Sequence, residues 1–316
     1  AAVRRLRIFR IGLIGTGVRY RTRGAPPGAS IASGKVDTGT ITSRAKIGEK
    51  RFANMDLKGK AAIVTGSATG LGAAVALKLA ARGCDVAINY TKSEAEAKET
   101  QAACAKLGVK AILAQGDVAK DEDCRRMAET ARKAFGRIDI LVNNAGTTKF
   151  ANHADLDALS SDDFLSIYAI NVVGAYQMIR AVAPDMKKAG MGAVVNISSI
   201  AGVAGIGSSV AYAASKGALN TMTISLARSL APEIRVNAVC PGFIGTRWFK
   251  DRFGEQGFNN IADQQRATTP LKRAGTPEDI ADAVVFFCAE GAQHITGETL
   301  LVDAGMHLDL VPATRR

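Results

Sequence analysis

Tyr212 and Lys216, four residues apart, are the pair in this 316-residue chain best suited to moving a proton. On a helix they share one face. A phenol is a poor acid or base at neutral pH, because its unperturbed pKa is about 10. A fixed cation beside it favours the phenolate and lowers that value. The pair opens an apolar helical stretch at 213–230, directly after a Gly- and Ser-rich segment. Upstream, Ser199 closes a short apolar run at 193–197, where its hydroxyl can donate to a carbonyl oxygen.

A second constellation is suited to an anion. Thr65-Gly66-Ser67-Ala68-Thr69-Gly70-Leu71-Gly72 spaces its glycines as G-x-x-x-G-x-G, between an apolar run and an apolar helical pattern. Glycines there let the backbone approach a pyrophosphate, whose charge meets the amides of the helix N-terminus. Taken alone, such a loop can equally be a simple turn.

The elements that must position these groups alternate. Short apolar runs at 61–64, 86–89, 111–114, 138–143, 193–197, 235–239 and 299–302 lack a polar face, as strands covered on both sides do. Helical patterns fill the gaps, including one unbroken helix over 164–188. Ser93-Glu94-Ala95-Glu96 reads as a capping box, and Thr276-Pro277-Glu278-Asp279 as a cap followed by Pro and acid in the first turn. Gly83, Gly108 and Gly136 each follow a helical run, as C-terminal caps do. The expectation is a single doubly wound α/β domain over 55–316, with seven parallel strands and helices on both faces.

With these motifs in order, the chain resembles the short-chain dehydrogenase/reductase family, including 3-oxoacyl-carrier reductases and glucose dehydrogenase-like members. The resemblance rests on Thr65–Gly72, Asn143-Asn144-Ala145-Gly146, Tyr212-Ala213-Ala214-Ser215-Lys216, Pro241-Gly242-Phe243-Ile244-Gly245-Thr246 and Thr296-Gly297-Glu298-Thr299-Leu300, and it covers 56–306. It implies a Rossmann-type fold and an oxidoreductase that interconverts a ketone and a secondary alcohol by hydride transfer. Tyr212 resembles the family's general acid/base, and Lys216 the residue that lowers its pKa and binds the nicotinamide ribose. Ser199, favoured over Ser198 by spacing, resembles the carbonyl-orienting hydroxyl. Asn171 resembles the asparagine that helps hold a water leading to the lysine.

Coenzyme contacts are implied for Gly66, Ser67, Thr69, Gly70, Leu71 and Gly72 in the loop and for Asn89, Tyr90 and Lys92 after the second strand. Further contacts are implied for Asp117 and Val118 against the adenine, for Asn144, Ala145 and Gly146, for Tyr212 and Lys216, and for Pro241, Gly242, Ile244 and Thr246. Asp117 also suits a helix cap. The second strand ends in Asn89-Tyr90-Thr91-Lys92-Ser93, with no acid to hold a ribose diol, and Lys92 can meet a phosphate. That favours NADP(H) over NAD(H). Thr69, where many NADP-preferring relatives carry Arg or Lys, points the other way, and Lys92 also reads as a plain surface charge.

Composition narrows the remaining classes. Hydrophobic residues at 47% and charged residues at 22% exclude a chain disordered throughout and a collagen-like fibre. The net charge of +12 suggests nucleic acid until it is located: residues 1–54 hold 12 Lys and Arg against 2 Asp and Glu, leaving 29 against 27 for the rest. The domain therefore has no broad phosphate-binding face, and neither nucleic acid nor membrane is expected as its partner. The arm reads as a targeting segment or, preferably, as sequence upstream of a start at Met55. Its Ile11-Gly12-Leu13-Ile14-Gly15-Thr16-Gly17 lacks the helix that a dinucleotide loop needs, so a disordered arm is expected. Arm binding to nucleic acid or anionic membrane stays an alternative.

Five cysteines without a C-x-x-C read as buried thiols of a reducing compartment, hence a cytoplasmic protein. His153, His294 and His307 lack ligand spacing, so no metal is expected. The uncharged run 189–215 is long enough for a bilayer, but its Gly, Ser and Asn196 favour a buried strand followed by a loop.

Substrate and assembly are less marked. Trp248, Phe249 and Phe253, with Thr148 and Phe150 opposite, suit an apolar lid or, equally, core or subunit contacts. Arg247, Lys250 and Arg252, with Lys187 and Lys188, suit an acidic acyl carrier protein or a plain solvated surface; a small ketone, sugar or secondary alcohol is the other substrate expectation. The resemblance implies a homotetramer paired through the helices at 164–188 and 212–230, with 311–316 reaching another subunit or free. A nucleotide-sensing or scaffold protein without turnover is the competing function.

Overall fold

The computed structural model describes residues 56–308. The basic arm with its glycine-rich decoy, Met55 and the tail at 311–316 lie outside the described residues.

Seven strands form: β1 (Ala61–Val64), β2 (Asp85–Tyr90), β3 (Ala111–Gln115), β4 (Ile140–Asn143), β5 (Gly192–Ile197), β6 (Ile234–Pro241) and β7 (Thr299–Val302). They make one sheet in the order β3-β2-β1-β4-β5-β6-β7, every neighbouring pair parallel. Between them run α1 (Gly70–Ala80), α2 (Glu94–Ala105), α3 (Asp121–Phe135), α4 (Ser161–Tyr168), α5 (Ala175–Ala189), α6 (Ala201–Ala204), α7 (Val210–Leu230), α8 (Arg247–Thr268) and α9 (Pro277–Cys288). The expected α/β fold is the one observed.

The apolar strand runs follow from the two faces. Successive residues point to opposite sides of a strand. Ala62 and Val64 of β1 join the core that α1 and α9 cover, whereas Ile63 joins the core of α3 and α5. Val142 and Leu141 of β4 divide in the same way. Both faces are dry, so no polar alternation survives, and each fully buried Ile, Leu or Val contributes roughly 1.5–3 kcal/mol.

The chain winds outward from β1 in both directions, through β2 and β3 on one side and β4 to β7 on the other. A crevice therefore opens where the carboxyl ends of β1 and β4 diverge. The glycine loop after β1 and Asn144–Gly146 after β4 both begin at that point.

Several local expectations need correction. The helix expected over 164–188 is α4 and α5 joined by a π-helical turn, Ala169–Gly174, which carries Asn171. By length and composition the stretch Ser161–Ala189 could cross a membrane, but nearly half of its apolar window is buried. The run 189–215 contains β5, the short α6 and the first turn of α7 rather than a strand and a loop. β4 starts at Ile140, and just before it the Asp139 carboxylate accepts from Ala61 N at 2.9 Å and from the Arg137 guanidinium. Ser93 makes no side-chain cap on α2, and the Glu side chains turn outward, Glu96 to Arg247 at 3.4 Å and Glu94 to Lys98 at 2.8 Å. Thr276 and Asp279 do form a reciprocal capping box, with Pro277 at the first position of α9.

Candidate active site

The glycine loop is held open by side chains that look inward. Thr65 Oγ1 accepts from the backbone N–H groups of Asn144 and Ala145, at 2.9 and 3.0 Å. Asn144 Nδ2 donates to the carbonyls of Thr65 and Gly66, each at 2.9 Å. Asn89 Oδ1 accepts from Gly66 N at 2.8 Å, while its Nδ2 donates to the carbonyls of Ala114 and Gly116. Together these bonds fasten the loop to the ends of β2, β3 and β4.

A side chain at Gly72 would drive its Cβ into the Gly66 carbonyl oxygen, so only glycine lets α1 start this close to the strand. Gly70 takes a left-handed φ of +59° at the first turn. Thr69, the N-cap of α1, makes no side-chain cap bond, and the first turn holds no acid. The positive end of α1 thus keeps its amides for an external anion.

That end lies on a cavity of about 1070 Å³, larger than a site for a single small metabolite needs. Among the residues expected to contact a coenzyme, Gly66, Thr69, Gly70, Leu71, Gly72, Asn89, Asp117, Val118, Asn144, Ala145, Gly146, Tyr212, Lys216, Pro241, Gly242, Ile244 and Thr246 line it. Ser67, Tyr90 and Lys92 do not, and the contacts expected of the buried Ser67 and Tyr90 need correction. Ser67 is fully buried, donates to Val64 O at 2.7 Å and accepts from Asn89 N. Tyr90 packs into the core beneath α1, and Lys92 points to solvent. Thr91, Thr147, Ser208 and Met306, not singled out from the sequence, also line the cavity. Thr91 was legible from its place at the end of β2, but Met306 only from the fold. A dinucleotide fits this arrangement: an open helix terminus, a glycine cradle and a cavity that runs on from them to Tyr212 and Lys216.

The proton-transfer groups come from β5, α7 and the π-helical turn. Ser199 lines the cavity just beyond β5, where its Oγ accepts from Ala201 N at 3.1 Å. Ser198 turns the other way and donates to Lys216 O at 3.1 Å. Ser209 caps α7 by accepting from Tyr212 N, which starts the helix so that Tyr212 and Lys216 both face inward. Asn171 Oδ1 accepts from Thr147 N at 2.8 Å, and its Nδ2 donates to Thr147 O and Ser215 Oγ at 3.0 Å each. Its side chain is thus a clip between the loop after β4 and α7, with no donor left for a water.

The electrostatics depart from expectation. Burial pushes the Tyr212 phenol up to about 12, with the Ser199 hydroxyl working in the opposite sense. Burial also pushes Lys216 down to about 8. The Lys216 ammonium donates to Ile197 O at 2.8 Å and stands 5.6 Å from the Tyr212 ring centroid. Burial is the largest influence on the phenol, and it acts against the lowering expected from sequence.

A wall of rings stands over the pair. Trp248 meets Tyr212 edge-on at 6.2 Å, and Phe150 meets both Trp248 and Phe253, at 6.2 and 5.4 Å. These three line the cavity, as a lid would, and none of them is buried in the core.

Comparison with known proteins adds the following. Residues 66–307 match the family profile described as Enoyl-(Acyl carrier protein) reductase. A protein named as ketoacyl reductase 2 of the granaticin polyketide synthase in Streptomyces violaceoruber is 43% identical over 247 residues, 78% of this chain and 96% of its own. The 3-oxoacyl-[acyl-carrier-protein] reductase of Staphylococcus epidermidis is 36% identical over 250 residues, 79% of this chain and 99% of its own. A 7α-hydroxysteroid dehydrogenase solved with NADH and 7-oxo glycochenodeoxycholic acid superposes with a TM-score of 0.72 at 31% identity, covering 80% of this chain and 96% of the other.

Proposed function

Because the chain belongs to the short-chain dehydrogenase/reductase family, we propose that it interconverts a ketone and a secondary alcohol by NADP(H)-dependent hydride transfer, with Tyr212 exchanging the proton. It is an oxidoreductase of CH–OH groups that uses NAD(H) or NADP(H). The observation that carries the site assignment is the convergence of Ser199, Tyr212 and Lys216 on the same cavity as the open N-terminus of α1. With that geometry, nothing favours a scaffold without turnover.

In the proposed reaction, the bound nicotinamide supplies or accepts the hydride. Gly66, Gly70, Gly72 and the amides of α1 would hold its pyrophosphate, and Thr246, beside Gly70, would hold its carboxamide. The Ser199 hydroxyl donates to the substrate carbonyl oxygen and fixes it beside Tyr212. The Tyr212 phenol gives that oxygen its proton in reduction and takes it back in oxidation. Lys216 supplies the positive charge that stabilises the phenolate left behind. Asn171 acts as a positioning residue through Thr147 and Ser215. A panel of ketones with NADPH and NADH, followed by loss of coenzyme absorbance, tests this reading. Absence of turnover across the panel, despite tight coenzyme binding, contradicts it.

The preference for NADP(H) is supported by the end of β2. Asn89 and Tyr90 are buried, Thr91 faces the cavity, and no carboxylate lies between them to repel a 2′-phosphate. A homotetramer is supported by the exposed apolar residues Leu165, Val173 and Tyr176 on the α4–α5 stretch and Val210 and Ile224 on α7. Light scattering of purified protein tests it. A cytoplasmic location is supported by five free thiols, all buried. The second substrate reading is an acyl carrier protein, supported by the carrier-linked name of the Staphylococcus relative and by the exposed Lys187 and Lys188. Within the lid patch, Arg247 pairs with Glu96 and Asp251, and Lys250 with Glu255, which leaves less charge for such a partner.

A further inference from the structure

The chain has only 11 Phe, 5 Tyr and a single Trp. Six of these rings line the one cavity: Phe150, Tyr212, Phe243, Trp248, Phe249 and Phe253. Three of them come from α8, which kinks at Gly254 and in which Ala262 is the lone fully buried residue. Phe249 packs on Phe243, but Trp248 and Phe253 do not serve a core. Trp248 is 42% exposed and Phe253 43% exposed, although both face the cavity and touch other rings. So much uncovered aromatic surface beside a reacting group calls for an apolar partner.

The arrangement of the rings is specific. Trp248 meets Tyr212 edge-on at an interplanar angle of 70°, directly beside the proposed proton donor. Phe150 stands at 66° to Trp248 and 83° to Phe253. The Arg252 guanidinium lies over Phe150 and Phe253, 5.6 and 5.9 Å from their centroids, which fixes both at the mouth. Three of the polar groups near this wall bond within the protein: Thr148 and Ser208 bond each other at 2.7 Å, and Asn152 Oδ1 accepts from Ala154 N. A polyol seated here would turn hydroxyls toward ring faces and lose its water without replacement. A long flexible chain would pay conformational entropy to lie along rings that a rigid planar body covers at no such cost.

We propose that the substrate is a ketone set in a flat, apolar, multi-ring body, recognised by Phe150, Trp248 and Phe253. This rests on the reading of Ser199 and Tyr212 as the carbonyl site. The carbonyl enters toward Ser199 and Tyr212, and the ring system lies in the aromatic angle between Trp248 and Phe150.

The test compares 2-tetralone with ethyl 3-oxohexanoate, a linear 3-oxo ester, under the same coenzyme. The expected result is a kcat/KM for 2-tetralone at least about tenfold higher, with Trp248→Ala reducing that ratio by about tenfold. Trp248 is also the chain's single tryptophan, so 2-tetralone titrated into the enzyme–NADP⁺ complex should quench its emission saturably. Should Trp248→Ala fail to fold, Phe253→Leu and the wild-type titration carry the test. Equal or better turnover of the linear ester, an unchanged ratio in the folded variants, or emission blind to 2-tetralone would overturn the proposal while leaving the reductase reading intact. Turnover of neither ketone, with a saturable quench, would instead overturn the reductase reading and leave ring recognition standing.

Discussion

Lys216 directs its ammonium at the Ile197 carbonyl, 2.8 Å away, and faces the ring of Tyr212 rather than bonding its hydroxyl. The strand carbonyl thus holds the cation behind the phenol, where it stabilises a phenolate once one forms. Placing that charge in the interior costs stability, and this makes the pair testable without any substrate.

Burial lowers Lys216 from 10.5 to about 8, so between those values the unfolded chain binds more protons at this position than the folded one. Stability should therefore rise with pH across that window, and the buried cation penalises the fold below pH 8. Lys216→Met removes the rise and leaves the protein at pH 7 as stable as the parent, or more stable by on the order of 1–2 kcal/mol. Urea melts of both proteins at pH 7 and pH 10 check this. Turnover of the variant should fall by at least about 100-fold.

In the catalysed reaction the same charge sets the pH profile. Ketone reduction leaves a phenolate on Tyr212, which the Lys216 cation stabilises only while it is protonated. The kcat/KM for reduction should decline as pH rises through about 8. Alcohol oxidation needs Tyr212 deprotonated, and burial holds the phenol up near 12, so oxidation should rise with pH throughout the alkaline range. Parallel initial-rate profiles in the two directions test both signs.

Ser199 and Ser198 are adjacent but face opposite ways. Ser199→Ala should lower kcat/KM for reduction by roughly 10²–10³ with coenzyme affinity unchanged, because a donor to the developing oxyanion is lost. Ser198→Ala removes only a bond to Lys216 O and should cost far less. Comparable losses in the two variants would reassign the carbonyl donor.

Coenzyme choice rests on the cavity edge after β2. Thr91→Asp puts a carboxylate where a 2′-phosphate would lie, and should raise the KM for NADPH by at least about tenfold while leaving that for NADH the same or lower. Steady-state kinetics with both coenzymes give the answer.

The sheet was legible because its inner strands are buried on both faces and the edge strands stay apolar: 61–64 and 299–302 match their strands to the residue. The site was legible where residue type is dictated by backbone geometry, as at Gly70 and Gly72, or by helical spacing, as at Tyr212 and Lys216. What stayed hidden depends on who bonds whom across the fold. Asn89 reads in sequence only as a coenzyme contact, but its side chain also bonds three backbone groups, of Gly66, Ala114 and Gly116, and so anchors the loop. The π-helical turn at Asn171 carries no signal in its apolar neighbours. The phenol's raised pKa could not be read either, since spacing reports that a cation is near and says nothing of how much water both groups have lost.

The central claim is that the Tyr212 hydroxyl carries the proton to and from the substrate oxygen. Tyr212→Phe removes one oxygen atom and keeps the ring that packs against Trp248. The account predicts that this variant binds NADPH with parental affinity and loses at least about 10³-fold in single-turnover ketone reduction. Reduction by Tyr212→Phe at close to the parental rate would contradict it.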